Sequence, residues 1–415
     1  MSRAKRLQIW QLRARFAAGL SAMYASEVPA YSTLVGVSTQ VNRDYADRHP
    51  GAERLGSLQR VTAERHGAIR VGSPAELADV ADLFAAFGMA PVGYYDLRDA
   101  ASPIPVVSTA FRPVDAGELA RNPFRVFTSV LATNDARFFD AGLRGRIERF
   151  VARRRLFDPA LIAHARVIAA DRGCDADDAD EFVARAVAAF ALSTEPVDKS
   201  WYDELSRVSA VAADIAGIAS THINHLTPRV LDIDDLYRRM TARGIAMIDT
   251  IQGPPRLDGP AVLLRQTSFR ALAEPRRFRL ADATIAAATL RVRFGEVEAR
   301  GVALTPAGRR RYDAAMAATD PAAAWDRFFP ATDAEMAATG LAYYRGGDPF
   351  KPIVYEDFLP ASAAGIFRSN LDRDAQVGQA GDESGYDADW MAGAIGRAIH
   401  DPYTLYEALA QEESA

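Results

Sequence analysis

The 415-residue chain carries 49 basic and 54 acidic side chains, a formal charge of −5, which supplies no general attraction to nucleic acid or to an anionic membrane. Hydrophobic residues make up 49% and charged residues 25% of it, a balance that fits a globular fold with a sizeable core and excludes a disordered or membrane-embedded chain. No apolar run approaches the roughly 18 residues of a membrane span, and the opening MSRAKRLQIW lacks the apolar stretch of a secretory signal. Cys174, the single cysteine, excludes an intramolecular disulfide and a thiolate metal cluster within one chain, so a cytoplasmic enzyme is expected.

Residues 1–60 read as a helical segment, with Leu7, Trp10, Leu12, Phe16 and Leu20 near helical spacing in one amphipathic helix across the first thirty residues. Residues 61–135 hold a first mixed unit. It opens with HGAIRV from His66, passes into a helix that Ser73 and Pro74 start and Gly88 ends, and returns to the strands APVGYYD, IPVVSTAFRP and FRVFTSVLA. Alanine-rich helical text fills 136–215 as an insertion. Residues 216–303 repeat the first pattern, with HLTPRV from His225, a helix beginning at Asp232 or Asp234 and stopping at Gly244, then AMIDTI, AVLLRQTSFR and ATLRVRFGEVEARG. Residues 304–415 begin with a helix capped by Thr305 and Pro306 and turn loop-rich around GGDPFKPIVYEDFLPASAAGIFRSNL, a segment placed to close a pocket.

The two mixed units match position by position. Each has a histidine, an arginine four residues later, a turn, a short helix, a glycine and then β text, so they read as two copies of one βαβββ unit. Two such units can curl into one pseudo-symmetric, incomplete barrel whose inward side chains line a shared cavity. The chain is therefore expected to be α+β, with large helical insertions.

His66 and His225 open the equivalent strands, and in a pseudo-symmetric pair those strands can bring both imidazoles to one side of the cavity. Imidazole nitrogen suits iron, zinc, nickel or copper. A third ligand is available in RVRFGEVEARG, where Glu296 and Glu298 share one strand face. An inward carboxylate is costly unless it meets a metal or a partner, and either glutamate can instead pair with Arg291, Arg293 or Arg300. Two histidines and a carboxylate from separate strands form the facial triad of non-haem iron(II) sites, whose open positions accept a chelating 2-oxo acid and dioxygen. Of the remaining histidines, His222 lies three residues before His225, off the same face of an extended strand, and reads as structural. His164 sits in helical alanine-rich text.

Arg70 and Arg229 each follow a histidine by four residues, which in an extended strand puts each on its histidine's face about 13 Å further along. That reach suits the distal carboxylate of a dicarboxylic acid chelated at its other end, and guanidinium is the planar partner for it. Pro228 makes the extended geometry less secure at Arg229, so Arg70 is the favoured contact. In VLLRQTSFR, Gln266 and Ser268 form the polar face expected to line the pocket. Ser362, Ala363, Ala364 and Gly365 are small enough to bring backbone close to a ligand, or to pack a helical turn tightly.

HGAIR, NHLTPRVLDIDDL, RFGEVEARGVALTPAGR and YEDFLPASAAGIFRSNL together resemble the family of 2-oxoadipate dioxygenase/decarboxylases, also called 2-hydroxyglutarate synthases, over nearly the whole chain. The resemblance implies a decorated vicinal-oxygen-chelate fold, an Fe(2+) cofactor, and conversion of 2-oxoadipate and O2 to D-2-hydroxyglutarate and CO2 in lysine catabolism. It also implies metal ligation by His66, His225 and one of the two glutamates. Similarity of Phe294–Arg300 to the last metal-bearing strand of hydroxyphenylpyruvate dioxygenase points to Glu296, with Ala299 departing from the glutamine of that pattern. The family's substrate-gripping arginine falls on Arg70. The rival expectations are a non-redox glyoxalase- or isomerase-type enzyme using another divalent metal, and a metal-free ligand-binding protein of the same fold.

Overall fold

The computed structural model describes residues 6–100, 103–256, 259–371 and 385–412. Among these the strands, in chain order, are β1 (Arg6–Gln8), β2 (Arg65–Val71), β3 (Ala90–Asp96), β4 (Val106–Arg112), β5 (Arg125–Leu131), β6 (Gly173–Asp175), β7 (Val197–Asp198), β8 (His225–Pro228), β9 (Leu264–Phe269), β10 (Glu274–Arg279), β11 (Ile285–Leu290) and β12 (Gly295–Arg300).

A five-stranded sheet in the order β3-β4-β5-β2-β8 carries His66 and His225. β2 runs parallel to β5 and antiparallel to β8, with Ala68 opposite His225 and His66 opposite Thr227. Beyond β8 the pairing continues through a parallel bridge from Arg229 to Glu298 of β12, and β12 pairs antiparallel with β9. Bridges from Met247 to Phe269 and from Gln252 to Gln266 add the 247–252 segment outside β9. In the first half the first strand pairs with the fourth, the fourth with the third and the third with the second. The second half repeats that order and the same parallel and antiparallel senses.

The two connecting helices form where caps and spacing dictate. In Pro74–Ala85 the Ser73 side chain accepts from the Glu76 N–H, Pro74 occupies the first turn, and Leu77, Val80, Ala81 and Phe84 make the buried stripe. Gly88 follows it with φ of 66°, a conformation that a Cβ would strain. In Ile233–Ala242 the Asp232 carboxylate caps the Asp235 N–H, which resolves the alternative start at Asp234.

Several elements differ from the sequence expectation. The first thirty residues are not one helix. β1 precedes helix Ile9–Glu27, and a second helix, Pro29–Arg48, follows Val28, where the proline ring disfavours helical geometry in the preceding residue. The stretch ATLRVRFGEVEARG is two strands. β10 and β11 form a hairpin whose β10 runs beside β7 of the helical insertion, and the chain leaves that hairpin at Leu290 before β12 begins at Gly295. PASAAGIFRSNL, within the text read as loop-rich, is helix Pro360–Leu371. Thr305 caps helix Pro306–Met316 as expected.

The insertion between the halves supplies helices Ala141–Arg153, Pro159–Asp171, Ala176–Ala188, Lys199–Val208 and Ala210–Gly217. One core runs from Phe16 and Leu20 through Phe84, Phe111, Val126 and Leu226 to Val297. A smaller one joins Leu264 and Val302 to Trp325, Tyr343, Tyr355 and Tyr406 of the C-terminal segment. Among the described residues no helix is long and apolar enough to cross a membrane.

Candidate metal centre

The pairing register brings three donors together. Ala68 faces His225, so His66, two residues back on the same face of β2, lies diagonally across from His225. Thr227, directly opposite His66, is small enough for the imidazole of His66 and the carboxylate of Glu296 on β12 to meet across β8. Gly295 makes the start of β12 possible, because a Cβ there would fall 1.9 Å from the Phe269 ring on β9. The rings of His66 and His225 stand 5.5 Å apart at 83°. His66 Nε2 is 3.2 Å from Glu296 Oε1, and His225 Nδ1 is 3.3 Å from Glu296 Oε2. One donor atom from each of the three residues lies within 4.8 Å of the others, and all three side chains are buried.

This donor set fits a divalent cation. Apart from the 3.3 Å approach of Glu296 to Nδ1, which is not a hydrogen bond, neither ring nitrogen of the buried His225 has a partner among the described residues, an arrangement that costs free energy unless something else meets it. Burial, opposed by Glu296 and reinforced by His66 and Arg70, lowers the pKa of His225 to about 4. Its ring is therefore neutral at pH 7, the form in which imidazole is a ligand. His66 behaves differently: burial works against its charged form, but Glu298 and Glu296 outweigh burial and raise its pKa above the ordinary value.

Glu298 stands behind the centre. Its Oε2 is 3.0 Å from His66 Nδ1, the contact that orients a metal-ligating histidine from its far nitrogen. Arg300 grips both Glu298 oxygens, at 2.7 and 2.9 Å, and Arg125 lies 3.5 Å away. Burial would raise the Glu298 carboxyl, but Arg300, His66 and Arg125 hold it well below the usual carboxylate range. The network extends through Glu64, which accepts from Arg125 at 2.7 Å and Arg229 at 2.9 Å, and through Glu356, paired with Arg60 and Arg125.

The other sequence candidates divide between the centre and its surroundings. Gln266 donates to Glu296 Oε1 and so fixes that carboxylate. Ser268 accepts from Asn370 Nδ2 at 2.8 Å, which ties helix Pro360–Leu371 to β9. Ser362 is buried on that helix, while the side chain of Ala363 lies outside the described residues. Arg70 shares the face of His66 and pairs with Asp214. Arg229 does not reach the centre: β8 ends at Pro228, and its guanidinium turns to Glu64 and the Leu55 carbonyl. His222 faces Asp214 at 3.2 Å, away from the three donors.

Sequence reasoning missed the aromatic wall. Phe358 stands edge-on to His66 with ring centres 5.0 Å apart, backed by Phe127, and Phe294 meets His225 at 5.1 Å. Phe358 is held by its neighbours, since Asp357 takes two bonds from Arg112 and Glu356 pairs with Arg125. Only the two acids beside that phenylalanine, in a segment otherwise apolar, signalled a buried anchor.

Fold and site together define an α+β protein with a buried group of two histidines and one carboxylate carried by β2, β8 and β12. The family model described as 2-oxoadipate dioxygenase/decarboxylase matches residues 16–370. A 2-oxoadipate dioxygenase/decarboxylase of Mycobacterium tuberculosis is 80% identical over 413 residues, with 100% of each chain covered. The chain belongs to the 2-oxoadipate dioxygenase/decarboxylase family. Among solved structures, the hydroxyglutarate synthase of Pseudomonas putida in complex with 2-oxoadipate is 35% identical with a TM-score of 0.81, covering 98% of this chain and 96% of that one. A glyoxalase-superfamily protein from Ralstonia eutropha shares the fold at 22% identity and a TM-score of 0.52, over 71% of this chain and 84% of that one.

Proposed function

We propose that this protein is an iron(II)-dependent dioxygenase that decarboxylates 2-oxoadipate to D-2-hydroxyglutarate in the cytoplasm, as a step of lysine catabolism. The observation that carries the reading is the convergence of His66, His225 and Glu296; Arg70 lies further along β2 on the His66 face. Family membership and the relatives' names support the substrate and the reaction. The five segments 1–60, 61–135, 136–215, 216–303 and 304–415 are the units of this reading, and the repeated pairing order supports a pseudo-symmetric barrel of the vicinal-oxygen-chelate type.

His66, His225 and Glu296 would hold the iron. Bound there, iron(II) would supply the redox chemistry that joins the 2-oxo acid to O2. Gln266 keeps the Glu296 carboxylate turned to the centre, and Glu298 does the same for the His66 ring. Arg70, about 13 Å along the strand from His66, takes the distal carboxylate of the acid and so sets chain length and which carbon is presented. Phe358 and Phe294 exclude bulk water from the histidine rings. The reaction balances without a reductant: one carbon leaves as CO2, the two oxygens of O2 replace the two that leave with it, and the hydrogen count is unchanged.

The test is oxygen uptake by anaerobically iron-loaded protein given 2-oxoadipate, with CO2 and product followed by mass spectrometry. One O2 consumed per CO2 and 2-hydroxyglutarate formed is the expected result. Binding of the acid without oxygen uptake, with turnover restored by another divalent metal, would overturn the reading in favour of a non-redox enzyme.

A further inference from the structure

Asp214 lies in helix Ala210–Gly217 of the insertion, where it is the one charged residue in the apolar run AVAADIAG, and it is 2% exposed. Its Oδ2 accepts from Arg70 Nη1 and, at 2.8 Å, from Asn224 Nδ2, while Oδ1 lies 3.2 Å from His222 Nε2. The segment holding these partners is fastened to the sheet. Thr221 Oγ1 donates to the Arg70 carbonyl at 2.8 Å, and the Asn224 N–H donates to the Ala68 carbonyl at 2.9 Å. The Asn224 carbonyl accepts from the Tyr24 hydroxyl at 3.0 Å and from the Phe294 N–H at 3.3 Å. One carboxylate thus connects the guanidinium on β2, the residue before His225, and, through that residue's backbone, the chain two residues ahead of Glu296.

A buried arginine–aspartate pair contributes little net stability, because desolvation offsets the attraction. Its physical effect is placement: an arginine held in one rotamer binds a carboxylate without first losing its freedom. His222 and Asn224 share the negative charge of Asp214, which reduces its repulsion of an anionic ligand on the same guanidinium.

We propose that Asp214 is a positioning residue, which holds Arg70 for the distal carboxylate of a 2-oxo dicarboxylic acid and keeps that guanidinium in register with the metal centre through Asn224. The helical insertion thereby supplies a substrate-selecting part of the site. This inference rests on the reading of Arg70 given above.

The experiment compares 2-oxoadipate with 2-oxohexanoate, which has the same chain length and lacks the distal carboxylate. Dissociation constants are measured by calorimetry on anaerobic iron(II)-loaded protein, alongside iron affinity and melting temperature. Asp214→Asn, nearly isosteric, is expected to weaken 2-oxoadipate about tenfold or more, as loss of a charged hydrogen-bond partner does, with 2-oxohexanoate changed less than about twofold and iron affinity unchanged. Equal weakening of both acids, or of neither, overturns the role of Asp214. Arg70→Met separates the two claims: it should erase the preference for the dicarboxylate, and if the preference survives, the reading of Arg70 itself falls.

Discussion

Glu296 and Glu298 stand two residues apart on one strand face, and neutralising each should have distinct consequences for stability and for metal retention. Glu298 is wholly buried with Arg300 and Arg125. A glutamine there keeps a single acceptor oxygen against the two Arg300 bonds of 2.7 and 2.9 Å, and leaves the buried Arg300 guanidinium short of its counter-charge, while Arg125 keeps Glu64 and Glu356. Breaking a buried pair of this kind costs about 3–5 kcal/mol. The negative charge 3.0 Å from His66 Nδ1 is also removed, which should weaken metal binding about 10- to 100-fold. Glu296 has no arginine within ion-pair distance among the described residues; its close neighbours are Gln266, His66 and His225. Glu296→Gln should therefore change stability by less than about 1.5 kcal/mol while abolishing stoichiometric metal retention. Urea unfolding of metal-stripped variants measures the first quantity and competition with a fluorescent chelator the second. If Glu298→Gln loses the metal and Glu296→Gln keeps it, the assignment of the two carboxylates is wrong.

Three further outcomes follow from the same geometry. Phe358→Ala removes a buried ring packed on His66 and Phe127 and should cost about 3–5 kcal/mol in urea unfolding; a cost near zero would mean the wall collapses without loss. Thr227→Val deletes a buried hydroxyl that has no hydrogen-bond partner among the described residues and should leave the urea midpoint unchanged or raised, with metal retained; a clear fall would show that the hydroxyl is engaged. Burial raises the Asp214 carboxyl, but His222 and Arg70 outweigh it and hold the group below its ordinary 3.8. Its stabilisation is therefore present above that pH and lost as pH falls below it. Acid unfolding followed by circular dichroism should be less steep in Asp214→Asn, and an identical profile would contradict this.

How much was legible in the sequence can be judged residue by residue. His66, His225 and the pair Glu296 and Glu298 were readable as candidates because a duplicated pattern and the two-residue strand period both act locally, and only the family resemblance singled out Glu296. The same rule failed at Arg229: its four-residue offset presumed a longer strand, and Pro228 ends β8 first. The choice between Glu296 and Glu298 depended on which arginines lie opposite, and Arg125 comes from a strand more than 150 residues away in the chain. Phe358 was illegible for the same reason, since its place against His66 is set by long-range ion pairs. Asp214 did leave a trace, as a lone acid in apolar helical text, but periodicity gives such a residue no partner.

The donors His66, His225 and Glu296 are brought together by pairing across the β2–β8 seam and the bridge from β8 to β12. Helical metal motifs, with two ligands a turn apart, can capture an ion on a fragment of nascent chain. His66, His225 and Glu296 form no such fragment, because in the unfolded polymer long loops separate them. Loading of a metal on these three residues would accordingly be a late event, open only to a chain whose two halves have already met. An ion that binds only the assembled form shifts the folding equilibrium toward it, by an amount that grows with the free ion concentration relative to its dissociation constant. Cellular metal supply would then govern how long the molecule survives as well as whether it turns over.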